Sequence, residues 1–415
     1  MKIAIIGSGI SGLTCAWLLN RRHDITLFES ASWIGGHTHT LDVRHNGRHY
    51  AVDTGFIVFN DWTYPSFIRL LDQLGVPFKP TEMSFSVTDP ASGLEYNGHD
   101  LNTLFAQRRN LLSPGFWGML RDILRFNRET QADLRDGRVD AGTTLGDYLR
   151  RQGYGQRFID HYIVPMGAAI WSMSLADMQA FPLEFFLRFF KNHGLLSVSH
   201  RPQWYVVEGG SRSYVPHLIA SFEERIRLDC PVQRVERTEQ GVRITSAAGS
   251  ETFDKVVFAC HSDQALALLA DPSDAERAIL GALPYADNDV VLHTDTRLLP
   301  SRRLAWASWN YRLGGPARQP AAVTYNMNIL QGLEGPDTFC VSLNQTEAID
   351  PASIIARFNY AHPQYSLSGI AAQARWEELA GVNHSYYCGA YWGNGFHEDG
   401  VVSALRVGRA FGEAP

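Results

Sequence analysis

The sequence predicts an α/β chain: a parallel sheet flanked by helices, with a discontinuous second region of mixed sheet and helices threaded through it. Three features lead there. A short apolar run at the amino terminus passes into closely spaced glycines and then a helical pattern. A second strand-like run ends on an acid 20 residues after the middle glycine. Beyond it the chain does not continue as regular strand–helix units; long helical and strand-rich stretches separate further glycine-rich segments.

Ile3 to Ile6 is a continuous apolar run of the kind buried in a parallel sheet. It leads into Gly7-Ser8-Gly9-Ile10-Ser11-Gly12, after which Leu13, Ala16, Trp17 and Leu18 have helical spacing. Ile25 to Phe28 forms the next strand and stops at Glu29. Strand, GxGxxG, helix, strand and acid in this order form the dinucleotide fingerprint in its required context. Gly7 permits the tight turn, Gly9 lets the backbone approach a pyrophosphate, and Gly12 lets the helix pack close to the strand. The helix start offers free N–H groups to phosphate, and Glu29 can hold ribose hydroxyls. The ordinary alternative is a glycine-rich turn without a ligand. Gly35-Gly36, just past the acid, is either a second close approach of backbone to ligand or a plain turn. At this level the cofactor is FAD or NAD.

Composition narrows the class. Hydrophobic residues make up 45% and charged residues 19%, so the chain can bury a core. The net charge of −6 speaks against nucleic acid as a partner. Five cysteines are scattered with no CxxC pair, which suggests reduced thiols in the cytoplasm and no zinc site. The opening MKIAIIG runs straight into the glycines and does not read as a signal peptide. No apolar run reaches membrane-spanning length; His161 to Ala176, the longest uncharged stretch, reads as buried or cavity-lining.

The motifs are spread over the whole chain: the glycine fingerprint with Glu29, Gly35-Gly36, Asp53-x-Gly55, Glu208-Gly209-Gly210, Pro231-Val232, Cys388-Gly389-Ala390-Tyr391-Trp392-Gly393 and His397-Glu398-Asp399-Gly400. With these the chain resembles the flavin-containing amine oxidase superfamily, which includes phytoene-desaturase-like and protoporphyrinogen-oxidase-like enzymes. Gly36-His37-Thr38-His39-Thr40, Met83 to Val87 and Gly395 to Gly400 resemble a bacterial NAD/FAD-binding subgroup associated with cyclopropane-fatty-acid-synthase-like methyltransferases.

The resemblance implies an FAD-binding Rossmann-like domain of glutathione-reductase type, assembled from residues 1–60, 205–275 and 380–415, and a substrate-binding domain from 61–204 and 276–379. It implies that Gly7, Ser8, Gly9, Ile10, Ser11 and Gly12 hold the pyrophosphate, and that Glu29 and Ser30 lie at the ribose. Gly36, His37 and Thr38 would lie beside pyrophosphate and flavin, with His37 where many members carry arginine. Gly55, Phe56 and Ile57 would pass the isoalloxazine, and the Val232 backbone would meet adenine. Asp399 would stand at the ribityl region, and Gly400 and Val401 would open a final helix, Val401 to Phe411, aimed at the flavin pyrimidine. Covalent attachment through Cys388, placed in the final strand, is not implied, so FAD is expected to be dissociable.

Within the inserted regions, strands are expected at Asp289 to His293, Leu304 to Trp309, Ala321 to Met327 and Thr338 to Leu343, and helices at Pro114 to Arg128 and Pro182 to Lys191. The first helix sets Arg121, Arg125 and Arg128 against Trp117, Leu120 and Leu124; the second sets Glu184, Arg188 and Lys191 against Phe181, Phe185 and Phe189. Each is either a solvated face over a core or a basic, aromatic surface resting peripherally on an anionic inner membrane. Candidate pocket residues are His37, His39, Trp306, Trp309, Tyr325, Asn326, Asn328 and Trp392, with His37 and Trp392 the foremost catalytic candidates. The expected reaction is FAD-dependent dehydrogenation of a lipid or fatty-acyl chain, with oxygen or a quinone-like acceptor reoxidising the flavin. The alternatives are an amine oxidase, a redox-neutral flavin isomerase, and a non-catalytic lipid-binding escort like the related GDP-dissociation inhibitors.

Overall fold

The computed structural model describes residues 1–315 and 319–414. Its organising layer is a five-stranded parallel sheet drawn from three distant parts of the chain. Lys2–Ile6 lies in the middle, with Asp24–Phe28 and then Ile226–Arg227 on one side, and Lys255–Phe258 and then Ser385–Tyr387 on the other. The central strands are apolar runs because helices cover one face, and the antiparallel sheet of Val232–Thr238, Gly241–Ser246 and Gly249–Phe253 together with further helices covers the other. The Ile10–Leu19 helix packs against the carboxy-terminal His397–Ala410 helix through glycines that permit close approach. A Cβ at Gly400 would lie 2.7 Å from Ile10 Cγ2, and one at Gly408 would lie 2.9 Å from Leu18 Cδ1.

A seven-stranded mixed sheet stands beside this layer, ordered Ile354–Pro363, Tyr285–His293, Cys340–Leu343, Val323–Asn326, Trp309–Arg312, Phe85–Asp89, Leu94–Asn97. One of its pairings, Trp309–Arg312 with Phe85–Asp89, is parallel. Helices Pro114–Arg135, Leu145–Arg151, Val164–Trp171 and Leu183–Asn192 enclose an aromatic core that includes Phe116, Phe126, Phe158, Trp171, Phe181 and Phe186. Each such ring contributes about 1.5–3 kcal/mol by leaving water. No helix among the described residues is long and apolar enough to cross a membrane.

The sequence-based elements differ from the structure at several points. The strand expected at Leu304 to Trp309 is a 3-10 turn, Arg303–Ala305, and the strand begins at Trp309. The Trp306 indole N–H donates to the Pro300 carbonyl at 2.8 Å and holds the turn closed. The helix from Pro114 runs on to Arg135 and buries a different face: Phe116, Met119 and Phe126 point inward, and Trp117 and Leu124 are exposed. Asp122 turns inward because its carboxylate accepts the Gly155 N–H at 2.9 Å. The final helix opens at His397, four residues earlier than expected, because the Asp399 carboxylate accepts the Phe396 N–H at 2.9 Å and caps it. Cys388 lies just past the Ser385–Tyr387 strand, and Trp392 ends a 3-10 turn, Ala390–Trp392.

Candidate functional site

In the parallel sheet the chain leaves Lys2–Ile6 toward one neighbour, Asp24–Phe28, while Lys255–Phe258 flanks the other side. The loops leaving the carboxyl ends of these central strands therefore diverge and open a crevice, the usual ligand position in open α/β sheets. Gly7 leaves the first strand at φ +106°, in the left-handed half of backbone space, and its N–H donates to the Phe28 carbonyl at 2.8 Å. A Cβ on Gly12 would lie 1.9 Å from the Gly7 carbonyl oxygen, so helix and turn fit together only with glycine there. At Gly9, by contrast, a Cβ would meet no protein atom within 4 Å. The helix it precedes has neither a side-chain cap nor an acid in its first turn. Its positive end is thus left for an external anion.

Glu29 ends the second strand, buried beside this turn. Its Oε2 accepts the Ser8 N–H and Oγ–H at 2.8 and 2.7 Å, and its Oε1 accepts the Ala31 N–H at 2.8 Å and the Ser30 hydroxyl at 3.3 Å. The Asp229 and Cys230 N–H groups donate to the Ala31 and Glu29 carbonyls, which lays the chain leading to Val232 along the same edge.

Gly35 forms a backbone bridge to Gly9, and a Cβ on Gly36 would stand 3.2 Å from the Gly9 Cα. The second glycine pair is therefore a close approach to the first. Its continuation is tied to the 54–56 segment: the Phe56 N–H donates to the His37 carbonyl at 2.7 Å and the Thr54 N–H to the His39 carbonyl at 2.9 Å. Between them Gly55 has no room for a side chain. Asp53, just upstream and buried, accepts hydrogen bonds from Thr40, Ser211 and Gln331 and knots this hairpin to Gly210 and Ser211.

The His37 ring lies 5.0 Å from Tyr360, 5.6 Å from His362 and 6.2 Å from His261. Tyr360 and His362 come from the edge strand of the mixed sheet, and His261 from the loop after Lys255–Phe258. His397, at the start of the last helix, stacks on Phe56 at 3.5 Å and is hydrogen-bonded through Nε2 to Thr38 Oγ1 at 3.0 Å. Burial lowers all four imidazoles: His37 and His261 to about 4, His362 to about 3, and His397 well below its ordinary value. They are neutral at pH 7. Among the described residues, His37 Nε2, Trp392 Nε1, and the Tyr365 and Tyr391 hydroxyls are buried without a hydrogen-bond partner.

An uncapped helix end above an open glycine, a carboxylate on the ribose side and unpartnered polar atoms fit FAD. Gly7–Gly12 would hold the pyrophosphate, Glu29 and the chain at Val232 the adenosine, and His37, Thr38 and Gly55–Ile57 the isoalloxazine. Because the last helix starts at His397, its open N–H groups belong to His397, Glu398 and Asp399. Val401 lies in the second turn with its side chain in the core, and Gly400 serves helix packing. The thiols suit a dissociable flavin. Burial pushes Cys260 up to about 12, and the neighbouring Cys15 together with burial pushes Cys388 up, so both stay protonated and weakly nucleophilic.

Of the other pocket candidates, His39 joins the site, its Nδ1 hydrogen-bonded to Tyr360 OH at 2.8 Å. Trp306, Asn326 and Asn328 do not. Asn326 caps the Met327–Gln331 helix, and Asn328 staples the loop between Leu333 and Phe339. Trp309 and Tyr325 pair across strands within the mixed sheet. His261, Tyr360 and His362, absent from the sequence-based set, carry no local motif.

The sequence model of the flavin-containing amine oxidoreductase family matches residues 10–311. A protein of Mycobacterium tuberculosis described as a flavin-containing monoamine oxidase is 25% identical over 287 residues, which span 66% of this chain and 59% of that relative's length. Two solved structures match over 99% of this chain and 98% of theirs. They are a CLA-producing fatty acid isomerase from P. acnes (TM-score 0.70, 16% identity) and cyclohexylamine oxidase from Brevibacterium oxydans IH-35A (TM-score 0.69, 14% identity). At such identities the likeness is one of fold.

Proposed function

We propose that this chain, which belongs to the flavin-containing amine oxidoreductase family, is an FAD-dependent oxidoreductase whose hydride donor is an uncharged, chain-like molecule, a lipid or fatty-acyl group, rather than an ammonium-bearing amine. One observation carries this reading. The imidazoles that would face the flavin are held neutral by burial and by one another; among the described residues no carboxylate offsets the shifts of His37, His362 or His397, and only the exposed Asp287 opposes that of His261. A dry site of neutral groups gives an ammonium no counter-charge. The helical core supports the same reading, because it brings aromatic rings up to the flavin end: Phe189 lies 5.3 Å from Phe396, next to His397, and Phe185 stacks on Tyr365 at 5.1 Å.

Bound FAD supplies the acceptor for a hydride. The residues then exclude water, orient the chain and take the second hydrogen as a proton. His37, with its unpartnered Nε2, is the group we assign to that proton. Loss of one hydride and one proton from adjacent carbons leaves a C=C bond. If the proton and hydride are returned at different carbons, the same groups catalyse isomerisation, a second reading favoured by the fold shared with a fatty acid isomerase.

Anaerobic mixing of the holoenzyme with a lipid extract should bleach the flavin, and bleaching by amines but not by lipids would overturn the assignment. Product formation without net use of an acceptor would identify the isomerase.

A further inference from the structure

We propose that the surface built by residues 101–128 docks this protein on an anionic lipid bilayer. The short Leu101–Leu104 helix, the Arg108–Leu112 turn and the start of the Pro114–Arg135 helix are joined by hydrogen bonds from Arg108 to the Asn102 carbonyl and from Trp117 to that of Leu111. The Trp117 indole N–H donates to the Leu111 carbonyl at 2.9 Å, and its ring lies 5.4 Å from Phe105. These contacts fix Leu111 and Leu112 as a projection.

Large apolar side chains face water there: Leu101 is 76% exposed, Leu111 47%, Leu112 88%, Trp117 49% and Leu124 55%. Single exposed leucines are ordinary; five large apolar groups exposed within 24 residues, on segments tied together by the Arg108–Asn102 and Trp117–Leu111 hydrogen bonds, are not. On the helix, Trp117, Arg121, Leu124 and Arg128 follow at steps of four, three and four, a single stripe alternating apolar and cationic.

The charge of this segment opposes that of the chain. Residues 101–128 hold five arginines and one acid, while the whole protein carries −6. The acid, Asp122, is buried on the Gly155 N–H. Arg108 and Arg109 donate to the carbonyls of Asn102, Phe105 and Gly93, and neither forms an ion pair among the described residues. Arg121 forms no ion pair among the described residues, and Arg125 and Arg128 share Glu129. Leucine and tryptophan that can enter the acyl boundary, ringed by arginines that reach the headgroups, match an anionic bilayer in both chemistries.

The test is cosedimentation of the holoenzyme with vesicles of phosphatidylglycerol and phosphatidylcholine, against phosphatidylcholine alone, at low and high salt. Binding should require phosphatidylglycerol and weaken with salt. Leu112→Asp should lower partitioning about tenfold, and Arg109→Gln and Arg121→Gln about fivefold each, with the flavin spectrum of each variant unchanged as the check on folding. Wild-type protein left in the supernatant at low salt would overturn the proposal, as would binding equal to wild type in all three variants. A dimer that Leu112→Asp disperses, without vesicle binding, would assign the face to a second copy and also overturn it.

Discussion

Gly9→Ala separates the ligand from the fold. Gly9 has φ −64° and ψ 175°, angles any residue adopts, and its Cβ would touch no protein atom within 4 Å. The alanine should therefore leave the apoprotein intact, and by narrowing the unfolded ensemble it should add about 0.4–1 kcal/mol. The methyl group nevertheless enters the space over the uncapped helix start. Loss of one charge-assisted hydrogen bond to phosphate removes about 1.5–3 kcal/mol, so FAD affinity should fall about ten- to a hundredfold. Fluorescence titration of apoprotein with FAD measures the second effect, and urea unfolding of the apoprotein the first. Unchanged affinity, or an apoprotein weakened by more than about 1 kcal/mol, would refute the assignment of Gly9 to the ligand. Gly12→Ala supplies the contrast. Its Cβ must clear the Gly7 carbonyl from 1.9 Å, an overpacking cost of about 1–3 kcal/mol that outweighs the roughly 1 kcal/mol gained in helix propensity, so fold and affinity should suffer together.

Three further outcomes follow. Arg237 and Glu276 form an almost wholly buried ion pair in which Glu276 also accepts the Tyr387 hydroxyl at 2.6 Å; Arg237→Ala should cost about 3–5 kcal/mol in denaturant unfolding by leaving the carboxylate unpaired, and a loss below about 1 kcal/mol would mean the pair is solvated. His37 and His261, held down to about 4 by burial, and His362, held to about 3, contribute stability that is present above pH 6.5 and lost as pH falls toward 4, with a slope of up to about 1.4 kcal/mol per pH unit per group; His362→Phe should flatten that acid limb, and an unchanged slope would place its titration elsewhere. Burial holds Asp53 up to about 6 despite its donors, so its contribution is lost as pH rises from about 4 through 6; Asp53→Asn should remove this trend yet cost about 1–3 kcal/mol overall, because its amide would face the Ser211 N–H.

Whatever depends on neighbouring residues was legible in the sequence. Gly7, Gly9, Gly12 and Glu29 announce their turn, helix and strand because each role is local, and the buried face of Leu183–Asn192 follows from its aromatic spacing. The Pro114–Arg135 helix shows where this stops: Trp117 and Leu124 satisfy the pattern of a core face, but Phe116, Phe126 and the bond from Gly155 to Asp122 decide the rotation. The capping role of Asp399 was not legible, since the residue it serves, Phe396, precedes the predicted helix start. The imidazole group was invisible because His37, His261, His362 and His397 meet only after two sheets have assembled.

The parallel sheet also sets a timetable for synthesis. At about 5–20 residues per second the Lys2–Ile6 strand waits about 10–50 s for Lys255–Phe258, and longer for Ser385–Tyr387 and the helix that closes over Ile10–Leu19. During that interval an apolar strand edge stays unpaired on the nascent chain, a natural client for chaperones. Any truncation ahead of Ser385 should yield an aggregating polypeptide rather than a smaller flavoprotein.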